Sequence, residues 1–221
     1  MCDDLPVAST FSIDIWSDVV CPFCYLGSRQ LDLALETFEH RDEVVVTHRA
    51  FELDPHTPRD LETSLAQLVA DKYAMPVQQA ESLHQRLETQ ARELGMTWSM
   101  ATAKPTNTFD AHRLIALAAT QGLSDEMSER LFRAYFSESL LISDHECLCN
   151  LASEVGVTDA SSLWATDAYS LDVRADESAA QELGVTGVPA ILIDNKFLVL
   201  GAQGTDKIAD VLRRAWERRA A

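Results

Sequence analysis

Two cysteines, Cys21 and Cys24, stand three apart in the stretch SDVVCPFCYLG, with Pro22 and Phe23 between them. This spacing serves three chemistries: a redox dithiol, half of a zinc site, or two small apolar side chains in a core. Position bears on which. Phe11, Ile13 and Ile15 alternate with Ser12, Asp14 and Trp16, the period of a strand. Leu31, Ala34, Leu35 and Phe38 then recur at helical spacing, and Pro22 suits the first turn of a helix. Cys21 is therefore expected where a strand ends and a helix begins. Unpaired N–H groups and the positive helix end favour a thiolate there, so a lowered Cys21 pKa is expected. Cys24, one turn on, can attack a mixed disulfide held on Cys21 and release the partner.

A second feature lies far downstream. Thr186-Gly187-Val188-Pro189-Ala190 precedes the apolar run Ile191-Leu192-Ile193. Proline is tolerated at a strand start because no ladder donor is lost there, and an X-Pro bond in a tight turn is the main place for a cis peptide. A cis Val188–Pro189 bond would push the Val188 backbone toward the dithiol and leave it free to pair with an extended chain. The alternative is an ordinary trans proline.

The elements that must position these groups follow from periodicity. Val44-Val45-Val46 through Phe51 is a second strand, so the chain opens βαβ. From 58 to 183 there is almost no strand signal. Helices are expected after Pro76, with the stripe Leu83, Leu87, Ala91, Leu94, and over 109–119. Another is expected from Ser124 with Leu131, Phe132, Tyr135 and Phe136 buried, and one from a capping box at Ser143. Further helices are expected at 161–164 and 176–183. Strands at 187–193 and 197–200 flank an Asp194-Asn195-Lys196 turn, and a final helix spans 206–218. The organisation reads as an α/β domain formed by 1–57 and 176–221, with 58–175 as a helical insertion.

Bulk properties narrow the function. Lys+Arg number 18 against 35 Asp+Glu, for a net charge of −17 in 221 residues, which disfavours nucleic acid and anionic membrane as partners. No apolar run approaches a membrane span, and MCDDLPVAST lacks the features of a secretory signal, so a cytoplasmic location is expected. Five cysteines, an odd number, do not make a disulfide framework.

The chain resembles the DsbA family of thioredoxin-fold proteins, and most its FrnE-like branch. Three segments carry the resemblance: SDVVCPFCYLG, NTFDAHRL (107–114) and ELGVTGVPAILID (182–194). It implies a thioredoxin fold with a large all-helical insertion, thiol–disulfide oxidoreductase or isomerase activity, Cys21 as nucleophile, Cys24 as resolving thiol, and a cis Pro189. It implies protein or peptide disulfides as substrates, glutathione or a thioredoxin-type protein as reductant, and no organic cofactor or metal. The substrate is expected to meet Pro22, Phe23, Val188, Pro189, Asn107 and His112, with Phe23 and Tyr25 forming an apolar rim. One departure matters: DsbA proper has a histidine where this chain has Phe23, so a less oxidising couple is expected. Two rival readings remain. One is a glutathione-dependent isomerase or transferase of the 2-hydroxychromene-2-carboxylate or kappa type, which uses a serine at the first active position. The other is a non-catalytic, chaperone-like binding module.

Other candidates are weaker. Cys147 and Cys149 lie ~200° apart on a helix, which opposes a shared metal or mutual bond and favours packing. Asn107 reads as a helix cap or a groove residue, and His112 as a partly buried polar residue or a groove residue. Asp14 could lie beneath the dithiol, but alternation leaves its direction open. Cys2 reads as incidental.

Overall fold

A computed structural model describes residues 10–219. The expectations for Cys2 and the N-terminal segment lie outside the described residues. β1 (Phe11–Ser17) is an inner strand of a four-stranded sheet ordered β2-β1-β3-β4. Its alternation buries Phe11, Ile13 and Ile15 on one face. α1 (Pro22–Glu36) follows, and β2 (Val44–Ala50) runs parallel to β1, pairing Phe11 with Val44 and Ser17 with Ala50. β3 (Ala190–Ile193) is antiparallel to β1, and β4 (Phe197–Leu200) to β3. Between them Asp194 and Asn195 take φ of 50° and 54°, the left-handed geometry that a tight hairpin turn asks of its residues and that Asp and Asn tolerate. α9 (Thr205–Glu217) packs beside α1 on the Phe11 face, where Leu31, Leu35, Ile208 and Leu212 complete the core.

The segment between β2 and β3 is helical. It holds α2 (Leu65–Lys72), α3 (Val77–Glu93), α4 (Phe109–Ala119), α5 (Ser124–Phe136), α6 (His145–Val155), α7 (Ala160–Leu163) and α8 (Ser170–Glu182). α8 covers the other face of the sheet, through Trp16, Ala180, Val185 and Ala190. The Trp16 indole N–H donates to the Asp176 carbonyl at 2.8 Å. The remaining helices build a second core around Leu87, Leu114, Phe132, Phe136 and Leu151, and this core runs on into Val19, Cys21, Cys24, Tyr25 and Leu26. The fold is a thioredoxin fold with a helical insertion, and the dithiol sits where the insertion's core reaches the start of α1. Among the described residues no helix is long and apolar enough to cross a membrane.

Several boundaries differ from expectation for local reasons. α2 had no expected counterpart. α8 begins at Ser170, so it runs through position 176. β3 starts at Ala190, because Gly187 to Pro189 form the turn before it. Asp144 caps α6, its carboxylate accepting the Cys147 N–H at 2.7 Å, whereas Ser143 is buried and donates its hydroxyl to the Arg59 carbonyl. Leu123, not Ser124, is the boundary residue of α5.

Candidate active site

Cys21 is the N-cap of α1, in extended conformation, with Pro22 as the first helical residue. Its carbonyl accepts the Cys24 and Tyr25 N–H groups at 3.0 and 3.2 Å, so the first turn of the helix closes on Cys21 itself. Its own N–H donates to the Asp18 carbonyl at 2.9 Å. The positive end of the α1 dipole therefore faces the Cys21 side chain.

Across from it, the Val188–Pro189 peptide is cis. The Val188 carbonyl lies 3.7 Å from Cys21 Sγ. The Pro189 carbonyl accepts the Gly201 N–H at 2.8 Å, which ties the turn to the end of β4. Thus two segments more than 160 positions apart meet at one sulfur. Gly27 completes the contact: a Cβ there would stand 2.8 Å from Pro189 Cγ, so only glycine lets the ring rest on α1.

Cys24 is fully buried, while Phe23 is 43% exposed. Burial pushes the Cys24 thiol well up from its ordinary value, and a hydrogen bond and charge from Cys21 push the same way. Both cysteines are buried, Cys21 at 4% and Cys24 at 0% exposure, and Cys21 differs in standing at the helix N-cap beside the Val188 carbonyl. Tyr25 does not join Phe23 on the rim as expected. It is buried and stacked on Phe132 and Trp98, at 4.8 and 5.3 Å between ring centroids, with its hydroxyl donating to Glu129 at 2.7 Å. An aromatic slot between Trp98, in the segment after α3, and α5 is the lower-energy place for that ring. The exposed apolar side chains near the dithiol loop are instead Phe23 and Leu53.

The acid beside the dithiol is Asp18, not Asp14. Asp14 pairs with Arg49 at 2.7 Å on the sheet. Asp18 is 1% exposed, and one of its oxygens accepts the Leu53 N–H at 2.8 Å. Its other oxygen, Oδ1, lies 3.5 Å from His112 Nε2.

Asn107 and His112 are both brought to this region, His112 as a buried side chain and Asn107 as a half-buried one. His112 is 3% exposed and faces Asp18. Asn107 donates to Glu52 at 3.3 Å and to the Pro55 carbonyl at 3.4 Å, and accepts the Phe109 N–H at 3.0 Å. It stands one residue outside the helix boundary, which is Thr108. The rest of NTFDAHRL braces the insertion. Arg113 donates to Asp110 at 2.8 Å and to the carbonyls of Leu163, Thr166 and Ala168.

Two further residues beside the thiols carry signals in the sequence. Gly27 is an isolated glycine inside a helix, which costs about 1 kcal/mol against alanine and so implies a close approach. Asp18 is an acid between a buried strand and the first cysteine of the pair. Cys147 and Cys149 are both half-buried. Cys149 Sγ accepts the Trp164 indole N–H at 3.1 Å, and Cys147 is raised by burial and by Asp144. Among the described residues no group of histidine, cysteine and acidic side chains is arranged to hold a metal ion.

Comparison with known proteins agrees with this geometry. The model of the DSBA-like thioredoxin domain matches residues 12–213. The chain is 35% identical to a probable DsbA oxidoreductase of Streptomyces coelicolor whose structure superposes with a TM-score of 0.89, covering 94% of this chain and 90% of that one. It is 29% identical to the uncharacterized protein YwbO of Bacillus subtilis, over 89% of this chain and 93% of that one. The cytosolic disulfide reductase DsbM of Pseudomonas aeruginosa shares the fold at 17% identity and a TM-score of 0.64, covering 95% and 100% of the two chains, and has also been solved with glutathione. With its dithiol at the head of α1, its cis-proline turn and its helical insertion, the chain belongs to the family of DSBA-like thioredoxin domains.

Proposed function

We propose that the protein is a thiol–disulfide oxidoreductase acting on protein or peptide disulfides in the cytoplasm. The observation that carries this reading is the juxtaposition of Cys21 Sγ with the Val188 carbonyl at 3.7 Å, beside a fully buried second thiol. Cys21 at the helix end is the attacking sulfur. It forms a mixed disulfide with the substrate and releases the other substrate cysteine as a thiol. Cys24, held within one turn, then attacks Cys21, forming the Cys21–Cys24 disulfide and releasing the second substrate thiol. The reverse sequence oxidises a substrate dithiol. Val188 offers its backbone to an extended chain, as an added strand would be held. Phe23 and Leu53, exposed around the thiol, favour apolar residues flanking the substrate cysteine. Pro22 sets the start of α1, Pro189 shapes the opposing turn, and Asn107 and His112 act on the loops behind the thiols.

Two features support redox work over a glutathione-dependent isomerase: the cysteine at the first active position and its partner one turn on. Glutathione, present with DsbM in one solved structure, or a thioredoxin-type protein is the candidate reductant. The test is reduction of insulin and refolding of a scrambled disulfide protein by wild type, Cys21→Ser and Cys24→Ser. Loss of turnover in Cys21→Ser supports the reading, and equal behaviour of all three contradicts it. A chaperone-like module would keep suppressing aggregation without Cys21.

A further inference from the structure

At the far end of α4 from His112, a cavity of about 600 Å³ opens between that helix, the α6–α7 turn, α7 and the α7–α8 turn. Its apolar floor is Leu117 and Leu163, both buried. Two links hold its walls in place. The Gln121 side chain clasps Thr158, donating to its carbonyl at 3.2 Å and accepting its N–H at 2.9 Å. Arg113 donates to the carbonyls of Leu163, Thr166 and Ala168 at 2.9, 2.7 and 2.9 Å. Thr120 stands about 12 Å along α4 from His112, which sets the cavity apart from the dithiol.

We propose that this cavity binds a small organic cation bearing an ammonium or guanidinium group. The hydroxyl groups on its walls turn their hydrogens inward. Thr120 donates to the Leu117 carbonyl at 2.7 Å, Ser162 to the Asp159 carbonyl at 2.7 Å and Thr166 to the Leu163 carbonyl at 3.3 Å. Thr158 Oγ1 lies 3.2 Å from Gln121 Oε1 and 3.4 Å from Asp159 Oδ2, with one hydrogen to give. What these hydroxyls offer a ligand is therefore lone pairs. Among the described residues no Lys, Arg or His lines the cavity, and no cationic side chain pairs with Asp159. A ligand made of N–H donors and a positive charge fits such a wall.

Backbone geometry points the same way. Asp159 and Tyr169 both take φ of 61°, in the left-handed region, and both line the cavity. An aspartate before a helix ordinarily turns its carboxylate onto the N–H groups of the first turn. Asp159 precedes α7 but makes no such bond, so its carboxylate is left to the cavity. Bulky residues rarely accept a left-handed backbone. Tyr169 accepts it, packed in part against the helical core, and brings to the wall an aromatic ring, a surface that attracts organic cations. The C-terminal end of α4, where positive charge is favoured, supplies Thr120. Ala160 and Ser170, which open α7 and α8 where the dipole would favour an anion, do not line the cavity.

The experiment titrates isotope-labelled full-length protein with n-butylguanidinium and, as its neutral counterpart, n-butanol, and follows backbone amide shifts by NMR. The cation should give saturable shifts at Thr158, Asp159, Ser162 and Tyr169 below about 10 mM, and n-butanol should not. Asp159→Asn removes the charge, keeps a residue that tolerates the left-handed backbone, and should weaken binding about tenfold. Ser162→Ala removes one acceptor and should weaken it about threefold. Glu62→Gln makes the same change in net charge at an exposed position outside the cavity and should leave the affinity within about twofold. Absence of saturable shifts at these amides overturns the proposal, as do equal shifts from n-butanol. Equal weakening by Asp159→Asn and Glu62→Gln also overturns it, because it would show only a general attraction to a chain of net charge −17. None of these readouts involves Cys21 or Cys24, so every outcome leaves the oxidoreductase reading where it stands.

Discussion

Gly27 on α1 lies against Pro189, so that a methyl group at position 27 would meet the ring at 2.8 Å. The contact joins the two halves of the site through a residue that carries no chemistry. Alanine at 27 would gain about 1 kcal/mol of helix propensity but crowd the ring at about 1–3 kcal/mol. These terms largely offset each other. Gly27→Ala is therefore expected to melt within a few degrees of wild type. Its disulfide turnover should fall about tenfold, because the Pro189 ring must move and carries Val188 away from Cys21. A melting curve paired with an insulin-reduction assay checks both. Wild-type turnover in a stable Gly27→Ala protein would show the contact to be soft.

Phe23 lies between the two cysteines, next to Cys24, and is exposed enough to be replaced at little cost in stability. A histidine there would place a partial positive charge near the Cys21 sulfur and favour the reduced form. An interaction of about 1–2 kcal/mol corresponds to about 20–40 mV. Phe23→His is expected to make the couple more oxidising by that amount, measured by equilibration against glutathione redox buffers. A potential unchanged within about 10 mV would mean that the ring at 23 does not reach the thiolate.

Asp110 is a buried acid with three partners: Arg59 at 2.6 Å, Arg113 at 2.8 Å and His145 at 2.8 Å. Burial alone would raise its pKa. The hydrogen bonds from His145 and Arg113 and the charges of Arg59 and Arg113 outweigh it, and hold the carboxyl below its usual range. A depressed folded-state pKa means that this stabilisation is complete above about pH 4 and is lost as pH falls through the folded value. Asp110→Asn should cost about 3 kcal/mol at pH 7, because it strands buried Arg113, and the difference from wild type should narrow below pH 4. Denaturant titrations at pH 7 and pH 3 measure both.

Much of this was legible in the residues. The period-2 run Phe11 to Ile15 and the Pro22 helix start locate the thiols, because burial on one face of a strand imposes alternation and a missing N–H suits only the first turn. The Val188–Pro189 turn was legible because few environments accept proline at the entrance to an inner strand. What stayed hidden depends on tertiary direction. Tyr25 looks like a rim residue by its place in the motif, yet the slot that receives its ring is made by Trp98, in the segment after α3, and Phe132 of α5. The burial of His112 and the loop contacts of half-buried Asn107 were not legible, since their partners Asp18 and Glu52 lie just past the ends of β1 and β2. α8 starts before its expected position because its first turns carry few apolar residues, and its place is set by packing on the sheet.

The central claim is that Cys21 attacks and Cys24 resolves. Cys24→Ser removes the resolving sulfur and leaves the Cys21 position intact. Incubated with a peptide disulfide and analysed by mass spectrometry under non-reducing conditions, this variant should accumulate a mixed disulfide on Cys21 approaching one equivalent, while wild type passes on to the Cys21–Cys24 disulfide. No adduct on Cys21, or an adduct spread equally over Cys21, Cys147 and Cys149, would contradict the account.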